Sequence, residues 1–152
     1  MNQGICCDGK YIYSVFERKK PHECKIRKFT FDNQTVKVSK SLKIGHGNDL
    51  TYKDGWIYAT HSKSGNVIHT IDAISLKKGA DKQVKGLPKR ISKKPSFNAI
   101  AAMPNGFALK LMKGNEKEEL YEFLEKILHK NENGKLSNPE DKADWVLYWW
   151  KK

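Results

Sequence analysis

Asn48-Asp49-Leu50-Thr51-Tyr52-Lys53-Asp54-Gly55-Trp56-Ile57-Tyr58 decides the fold. Apolar residues flank an Asp-Gly pair that supplies the positive φ a tight two-residue turn requires, so the stretch predicts a β-hairpin. Two other stretches share the pattern: GICCDGKYIY over residues 4–13 and NAIAAMPNGFAL over residues 98–109, with turn glycines Gly9 and Gly106. The likeness extends past each turn. Ile26-Arg27-Lys28-Phe29-Thr30-Phe31-Asp32 corresponds to Val67-Ile68-His69-Thr70-Ile71-Asp72, each read as a third strand ending in Asp. Glu119-Leu120-Tyr121-Glu122-Phe123 fits the alternation in the third copy without the terminal acid.

Gly9, Gly55 and Gly106 are spaced by 46 and 51 residues, a period at which each repeat is one supersecondary unit, such as a four-stranded propeller blade. The expectation is a single mainly β domain over residues 1–152, with two to three blade-like antiparallel repeats at about 1–44, 45–96 and 97–152. The third copy diverges after residue 114. There, Leu120, Phe123, Leu124, Ile127 and Leu128 recur at helical spacing, with Asn115 as a candidate N-cap and Asn133-Gly134 as a stop. Asn138-Pro139-Glu140-Asp141 repeats the helix-start grammar. Trp145-Val146-Leu147-Tyr148-Trp149-Trp150 is apolar on every face and reads equally as closing strand or short helix. The alternative architecture is α+β, a single antiparallel sheet with packed C-terminal helices.

Gly45-His46-Gly47-Asn48-Asp49-Leu50-Thr51-Tyr52, followed by Gly55-Trp56-Ile57-Tyr58 and Val67-Ile68-His69-Thr70-Ile71-Asp72, resembles a blade from β-propeller repeat proteins of Gram-positive bacteria and their phages, helveticin-like proteins among them. The resemblance is strongest over 45–72, weaker over 4–44, and fades beyond Gly114. It implies a scaffold that binds ligands at one end of a central channel. It implies no particular chemistry and carries over no catalytic residue.

With 152 residues, 38% apolar and 11% aromatic, the chain suits one domain with a real core. No run is long enough for a membrane-spanning helix. The start, Met-Asn-Gln-Gly-Ile-Cys-Cys-Asp, lacks the basic residues and apolar stretch of a secretory signal, so a cytoplasmic home is expected. Cys6 and Cys7 point to opposite faces of a strand and leave Cys24 over, which reads as free thiols. Zinc would need a second closely spaced pair. No metal site and no cofactor are expected.

The net charge of +12 is unevenly placed. Residues 1–50 hold 10 basic and 5 acidic side chains, residues 51–97 hold 10 and 3, and residues 98–152 hold 9 and 9. Lys77, Lys78, Lys82, Lys85, Lys89, Arg90, Lys93 and Lys94 form a run opposed only by Asp81. Its glycines and prolines mark an exposed connection, and such a loop attracts phosphates or polyanions by summed potential. Few of the basic residues are arginines, and no aromatics interleave, so base-specific or stacking recognition is not indicated.

His46, His61 and His69 are the candidate catalytic residues if the chain is an enzyme, with Asn48, Asp49 and Asp72 nearby. The repeat itself suggests a site. Gln3, Asn48 and Asn98 stand just before the innermost strand of each copy and would converge in a radial arrangement. The reading favoured is a non-enzymatic binding module for an anionic ligand (a phosphate-bearing small molecule, nucleic acid or acidic polymer), in the manner of a sequestering or inhibitory protein, using Gln3, His46, Asn48, Asp49, His61 and Asn98 with the lysine run. Two rivals stand beside it: a histidine-dependent hydrolase or phosphodiesterase, and an inhibitor or assembly component acting through its aromatic C-terminus. Three repeats cannot close a ring alone, so a homodimer through Trp145, Trp149 and Trp150 is a further expectation.

Overall fold

The computed structural model describes residues 2–17, 23–60, 67–85, 96–104, 106–113, 116–124, 129–130, 136–137 and 145–149, with side-chain detail as far as Lys110. Every regular element among them is a strand. Strands β1 (Asn2–Cys7), β2 (Ile12–Glu17), β3 (Cys24–Phe29) and β4 (Thr35–Val38) form one antiparallel meander. Strands β5 (Asp49–Lys53), β6 (Trp56–Thr60), β7 (Val67–Asp72) and β8 (Lys82–Lys85) form a second. The third begins with β9 (Ser96–Met103), β10 (Gly106–Lys113) and β11 (Glu116–Leu124). A small hairpin of β12 (His129–Lys130) and β13 (Leu136–Ser137) precedes β14 (Trp145–Trp149), which pairs with β11 as the third unit's fourth strand. Beside β11, β14 also pairs in parallel with β8, so that the second and third units form one eight-stranded sheet in the order β5-β6-β7-β8-β14-β11-β10-β9, folded so that its two halves face each other.

All three hairpins form, and Asp54-Gly55 is the tight two-residue turn expected; the first connection instead spans residues 8–11, between paired Cys7 and Ile12, and Gly106 lies in β10, paired with Met103. At Asp54-Gly55 the turn lies between paired Lys53 and Trp56, and both turn residues take positive φ, 49° and 85°, the pairing expected of a type I′ turn that follows strand twist. In the first unit Gly9 has φ 89° and the Asp8 carboxylate accepts from the Lys10 and Tyr11 amides at 2.8 and 2.6 Å. The third-strand reading needs one adjustment. β7 runs to Asp72, but β3 stops at Phe29, because Thr30 and Asn33 close a turn in which Asn33 has φ 68°, leaving Asp32 outside the strand.

Residues 116–124 are extended rather than helical. Leu120, Tyr121, Phe123 and Leu124 satisfy a period of two as well as one of 3.6. Here β11 pairs with β10 along its length and with β14 from Tyr121 to Leu124, so its last four residues are paired on both sides. Ile127, Leu128 and the second helix start at 138–141 lie outside the described residues. The aromatic closing segment is a strand over 145–149, and Trp150 is outside the description.

Equivalent positions show how the units stack. The pairs Ile5 with Ser14, Leu50 with Ala59 and Ile100 with Leu109 occupy the same register in successive hairpins. Leu50, Ile57, Ala59 and Ile71 of the second unit pack against Tyr13, Val15 and Ile26 of the first. On the opposite face of the second unit, Tyr58, Ile68 and Val84 pack against Phe97, Ile100, Phe107 and Leu109 of the third. The middle sheet is therefore buried on both faces. That explains its near-continuous burial from Ile57 to Thr60 and from Ile68 to Ile71, where a half-exposed sheet would alternate. Stacked Tyr13 and Tyr52 rings, with centroids 6.4 Å apart, and tilted Tyr58 and Phe107 rings at 4.5 Å mark the two cores.

Candidate ligand site at the crossing end

The first strands of the three units lie side by side, β1 beside β5 and β5 beside β9. Gly4 makes the first approach possible: a Cβ there would come within 2.5 Å of Asp49 Cα and 2.8 Å of Leu50 N. From β5 to β9 the link is made by side chains. Asn48 Nδ2 donates to Phe97 O at 3.2 Å, Ile100 N to Asp49 Oδ2 at 3.0 Å, and Ala102 N to Thr51 Oγ1 at 2.9 Å. Hydrogen bonds that advance by two residues on both strands mean that β5 and β9 run in the same direction. All three inner strands thus begin at one end of the molecule.

Gln3, Asn48 and Asn98 all sit at that end. Gln3 and Asn98 share a feature the sequence did not announce. The β1 ladder steps from Asn2 with Phe16 to Gly4 with Val15, and the β9 ladder from Phe97 with Leu111 to Ala99 with Lys110. Each amide residue is the extra one of a β-bulge, a device that re-aims a side chain out of the regular pleat. Asn48, by contrast, precedes a regular ladder and donates its backbone amide to Thr60 O at 2.7 Å. Its side chain and that of Asp49 fasten β5 to β9. Burial pushes the Asp49 carboxyl up, against hydrogen bonds from the Ile100 and Leu50 amides that pull it down.

His46 arrives on the connection from β4 to β5. Gly45 and Gly47 flank it with φ of 62° and 55°, and the loop is pinned over the first unit, where Cys24 Sγ donates to Gly45 O at 2.9 Å. A Cβ on Gly47 would lie 2.8 Å from Val15 Cγ2, so the loop cannot sit this close with a larger residue. His46 Nδ1 is held 2.7 Å from Glu17 Oε2, and the imidazole is 40% exposed. Glu17 was not legible as a partner, since it lies 29 positions away and ends a strand of another hairpin.

The other histidines do not join this pair among the described residues. His69 sits within β7, buried, its Nδ1 2.8 Å from Asp81 Oδ1, which also binds Lys78 Nζ at 2.5 Å. Burial pushes the Asp81 carboxyl up, but Lys78 and His69 outweigh it and hold it below the ordinary value. His61 lies outside the described residues. Among the described residues no three His, Cys, Asp or Glu side chains gather as a metal site, and no helix is long and apolar enough to cross a membrane. Cys6, Cys7 and Cys24 are free thiols; burial first of all raises Cys6 to about 12 and Cys24 to about 11, which keeps both protonated and unreactive.

The lysine run is divided by the topology. Lys77 and Lys78 belong to the connection after β7, at the turn end, whereas β8 carries Lys82 and Lys85 back toward the end where the inner strands begin. Lys89, Arg90, Lys93 and Lys94 lie outside the described residues, between Lys85 at the end of β8 and Ser96 at the start of β9. Both of those anchor points belong to the crossing end.

Sorting the connections of the first two units by end reveals a charge division. The connections that join strands at the crossing end carry three basic residues in 18–23, two in 39–48, one in 61–66 and four in 86–95, against the single acid Glu23. The connections at the turn end hold Lys10, Lys77 and Lys78 against Asp8, Asp32, Asp54 and Asp81. By sequence, the connections anchored at one end are strongly basic and those at the other are close to neutral; of the ten basic residues, Lys40 and Lys43 are among the described residues.

A second cluster that sequence reasoning missed is internal. Lys28, only 8% exposed, donates from Nζ to Ala73 O at 3.1 Å and lies 4.3 Å from the centre of the Tyr11 ring. Tyr13 donates its hydroxyl to Asp8 Oδ2 at 2.7 Å. Burial pushes Asp8 up, but the Tyr13 hydroxyl, the Tyr11 and Lys10 amides and the Lys28 charge together hold it below its ordinary value. The cluster ties the first unit to the β7–β8 connection of the second. Tyr13 also donates to Ala73 O at 3.4 Å, so its partners are up to 60 positions apart, and no local pattern signals them.

No protein-family model and no curated protein matches the chain. Among solved structures it is similar to Myxococcus xanthus glutaminyl cyclase, with a TM-score of 0.57 and 15% sequence identity, over 80% of this chain and 47% of that one. The chain thus spans about half the length of that structure. At such low identity the similarity is one of fold.

Proposed function

We propose that this chain is a non-enzymatic binding module whose units act as propeller-type blades and whose crossing end holds an anionic, phosphate-bearing ligand. The observation that carries the reading is the division of charge between the two ends. Ten basic residues and one acid on the crossing-end connections create a summed positive potential beside the site, while the turn end offers none. Gln3 and Asn98, lifted out of their ladders on bulges, and the half-exposed His46 held by Glu17 supply directional polar contacts. Asn48 and Asp49 brace the inner strands that carry them. The face-to-face packing of successive four-stranded units with adjacent first strands supports the blade reading. The separate acids of His46 and His69 favour binding over a shared histidine mechanism.

The test is fluorescence anisotropy with a labelled oligonucleotide as polyanion probe and inorganic pyrophosphate as competitor. Reversing Lys89 and Arg90 to Glu is expected to weaken binding at least tenfold and to flatten the salt dependence by about one unit of slope for each phosphate no longer neutralised. Lys77→Glu, at the turn end, is expected to change it less than twofold. Equal effects from both reversals would reduce the result to overall charge and sink the assignment to one end.

A further inference from the structure

His46 is held so that only one of its ring nitrogens can change state. Glu17 Oε2 stands 2.7 Å from Nδ1. An ionised carboxylate can only accept a hydrogen bond, so Nδ1 carries a proton in both the neutral and the charged ring, and titration belongs to Nε2. Among the described residues Nε2 has no hydrogen-bond partner, and it is not buried, so it meets solvent on a side chain that is 40% exposed. The loop gives the ring little room to turn away. Gly45 and Gly47 hold left-handed φ on either side of it, and Cys24 Sγ donates to Gly45 O.

The titratable groups around the loop come from four elements. β2 brings Glu17, and β3 brings Cys24, whose thiol burial, with Glu17 second, raises to about 11, so that it stays neutral wherever a histidine titrates. Glu23 stands beside Cys24 at the start of β3, Lys43 lies earlier on the loop's own connection, and Asp49 opens β5 with its carboxylate turned to the Ile100 amide. Neutral His46 offers a lone pair at Nε2, which turns a phosphate oxygen away. The imidazolium offers an N–H there, which binds the same oxygen in a charge-assisted hydrogen bond. Lysine and arginine make no such distinction, since both ordinarily keep their charge across the range in which histidine changes.

We propose that His46, with Glu17 as its positioning residue, is a proton-gated phosphate contact of the crossing end: as imidazolium it donates Nε2–H to a phosphate oxygen, and as neutral imidazole it does not. The inference rests on the anion-binding reading and adds its regulation. Ligand binding then takes up one proton from solvent at Nε2, and loss of that proton favours release, a reciprocal coupling between the two equilibria. His22 and His61 also lie on crossing-end connections, so acid adds positive charge there whatever His46 does. The difference between wild type and a His46 variant isolates the gate, because His46→Gln removes the imidazolium and keeps every carboxylate and every other histidine.

Anisotropy of an oligothymidylate carrying a non-titrating dye, at one fixed salt concentration and at about pH 8 and about pH 5.5, reads the gate across the histidine range. The phosphodiesters of this probe keep their charge throughout. Wild type is expected to bind about tenfold more tightly at the lower pH, the worth of one charge-assisted hydrogen bond. His46→Gln is expected to reduce that ratio to about threefold or less, the remainder being the summed charge of the other histidines. His46→Lys, whose charge is permanent, is expected to bind tightly at both pH values. Nitrogen-15 NMR of the ligand-free protein gives a readout that does not depend on binding: the neutral ring of His46 is expected as the Nδ1–H tautomer in wild type and as a mixture in Glu17→Gln, whose amide can present either a donor or an acceptor. A wild-type ring protonated at Nε2 instead, equal affinity at both pH values, or a rise that survives His46→Gln undiminished would overturn the gate and leave the anion-binding reading standing. Absence of binding at either pH would sink that reading, and the gate with it.

Discussion

Burial raises the Asp49 carboxyl above its ordinary value of 3.8 even though backbone amides donate to it. Folding therefore favours the neutral form. Its contribution to stability is fully present below the ordinary value and is withdrawn as pH rises through the raised one. Asp8 and Asp72 are held low and act in the opposite sense, their contribution present above the ordinary value and lost as pH falls through the lowered one. Asp49→Asn keeps an oxygen for the Ile100 amide and removes the buried charge. Urea unfolding at pH 7 is expected to find that variant at least as stable as wild type, with the gap closing in acid. Asp49→Ala leaves the Ile100 N–H without its acceptor and is expected to cost about 1–3 kcal/mol. At the same scale, Tyr13→Phe removes the hydroxyl that donates to Asp8. It is expected to cost about 1 kcal/mol and to move the Asp8 carboxyl upward in an NMR titration. The sequence showed Asn48 and Asp49 as neighbours of a candidate site but not their role as braces, because their partners in β9 lie about fifty positions away.

Hairpins were the most legible elements, since each is written within about ten residues: Asp54-Gly55 dictates its turn whatever surrounds it. Sheet stacking was not legible, because which face of β6 meets which sheet depends on packing between units. The Gln3 and Asn98 bulges escaped for a related reason: a bulge is a mismatch between two strands, and neither strand alone records it. The run Leu120 to Leu124 satisfied two periods, and pairing with β10 and β14 resolved it in favour of strand. Gly4 offers a test of the inter-strand approach. Gly4→Ala drives a methyl group into the Asp49 backbone, which cannot swing aside as a side chain would. The β1–β5 approach must open, at a cost of roughly 1–3 kcal/mol or more, read as a lowered melting temperature.

For the molecule as a whole, the net charge of +12 makes anion binding at the crossing end salt-dependent: it is expected to weaken as salt rises, read as a falling affinity in a salt titration. The total charge was plain in the sequence, but its division between the two ends needed the strand order. β14 has a consequence for how the chain is made. It supplies the fourth strand of the third unit and pairs with β8, yet it is translated about sixty residues after β8. During synthesis, the first two units emerge with their strands complete, while β8 and β11 wait with open hydrogen-bonding edges for one late strand. Ribosome stalling or proteolysis ahead of Trp145 would leave the facing edges of β8 and β11 unpaired, which exposes them to aggregation and to chaperone capture.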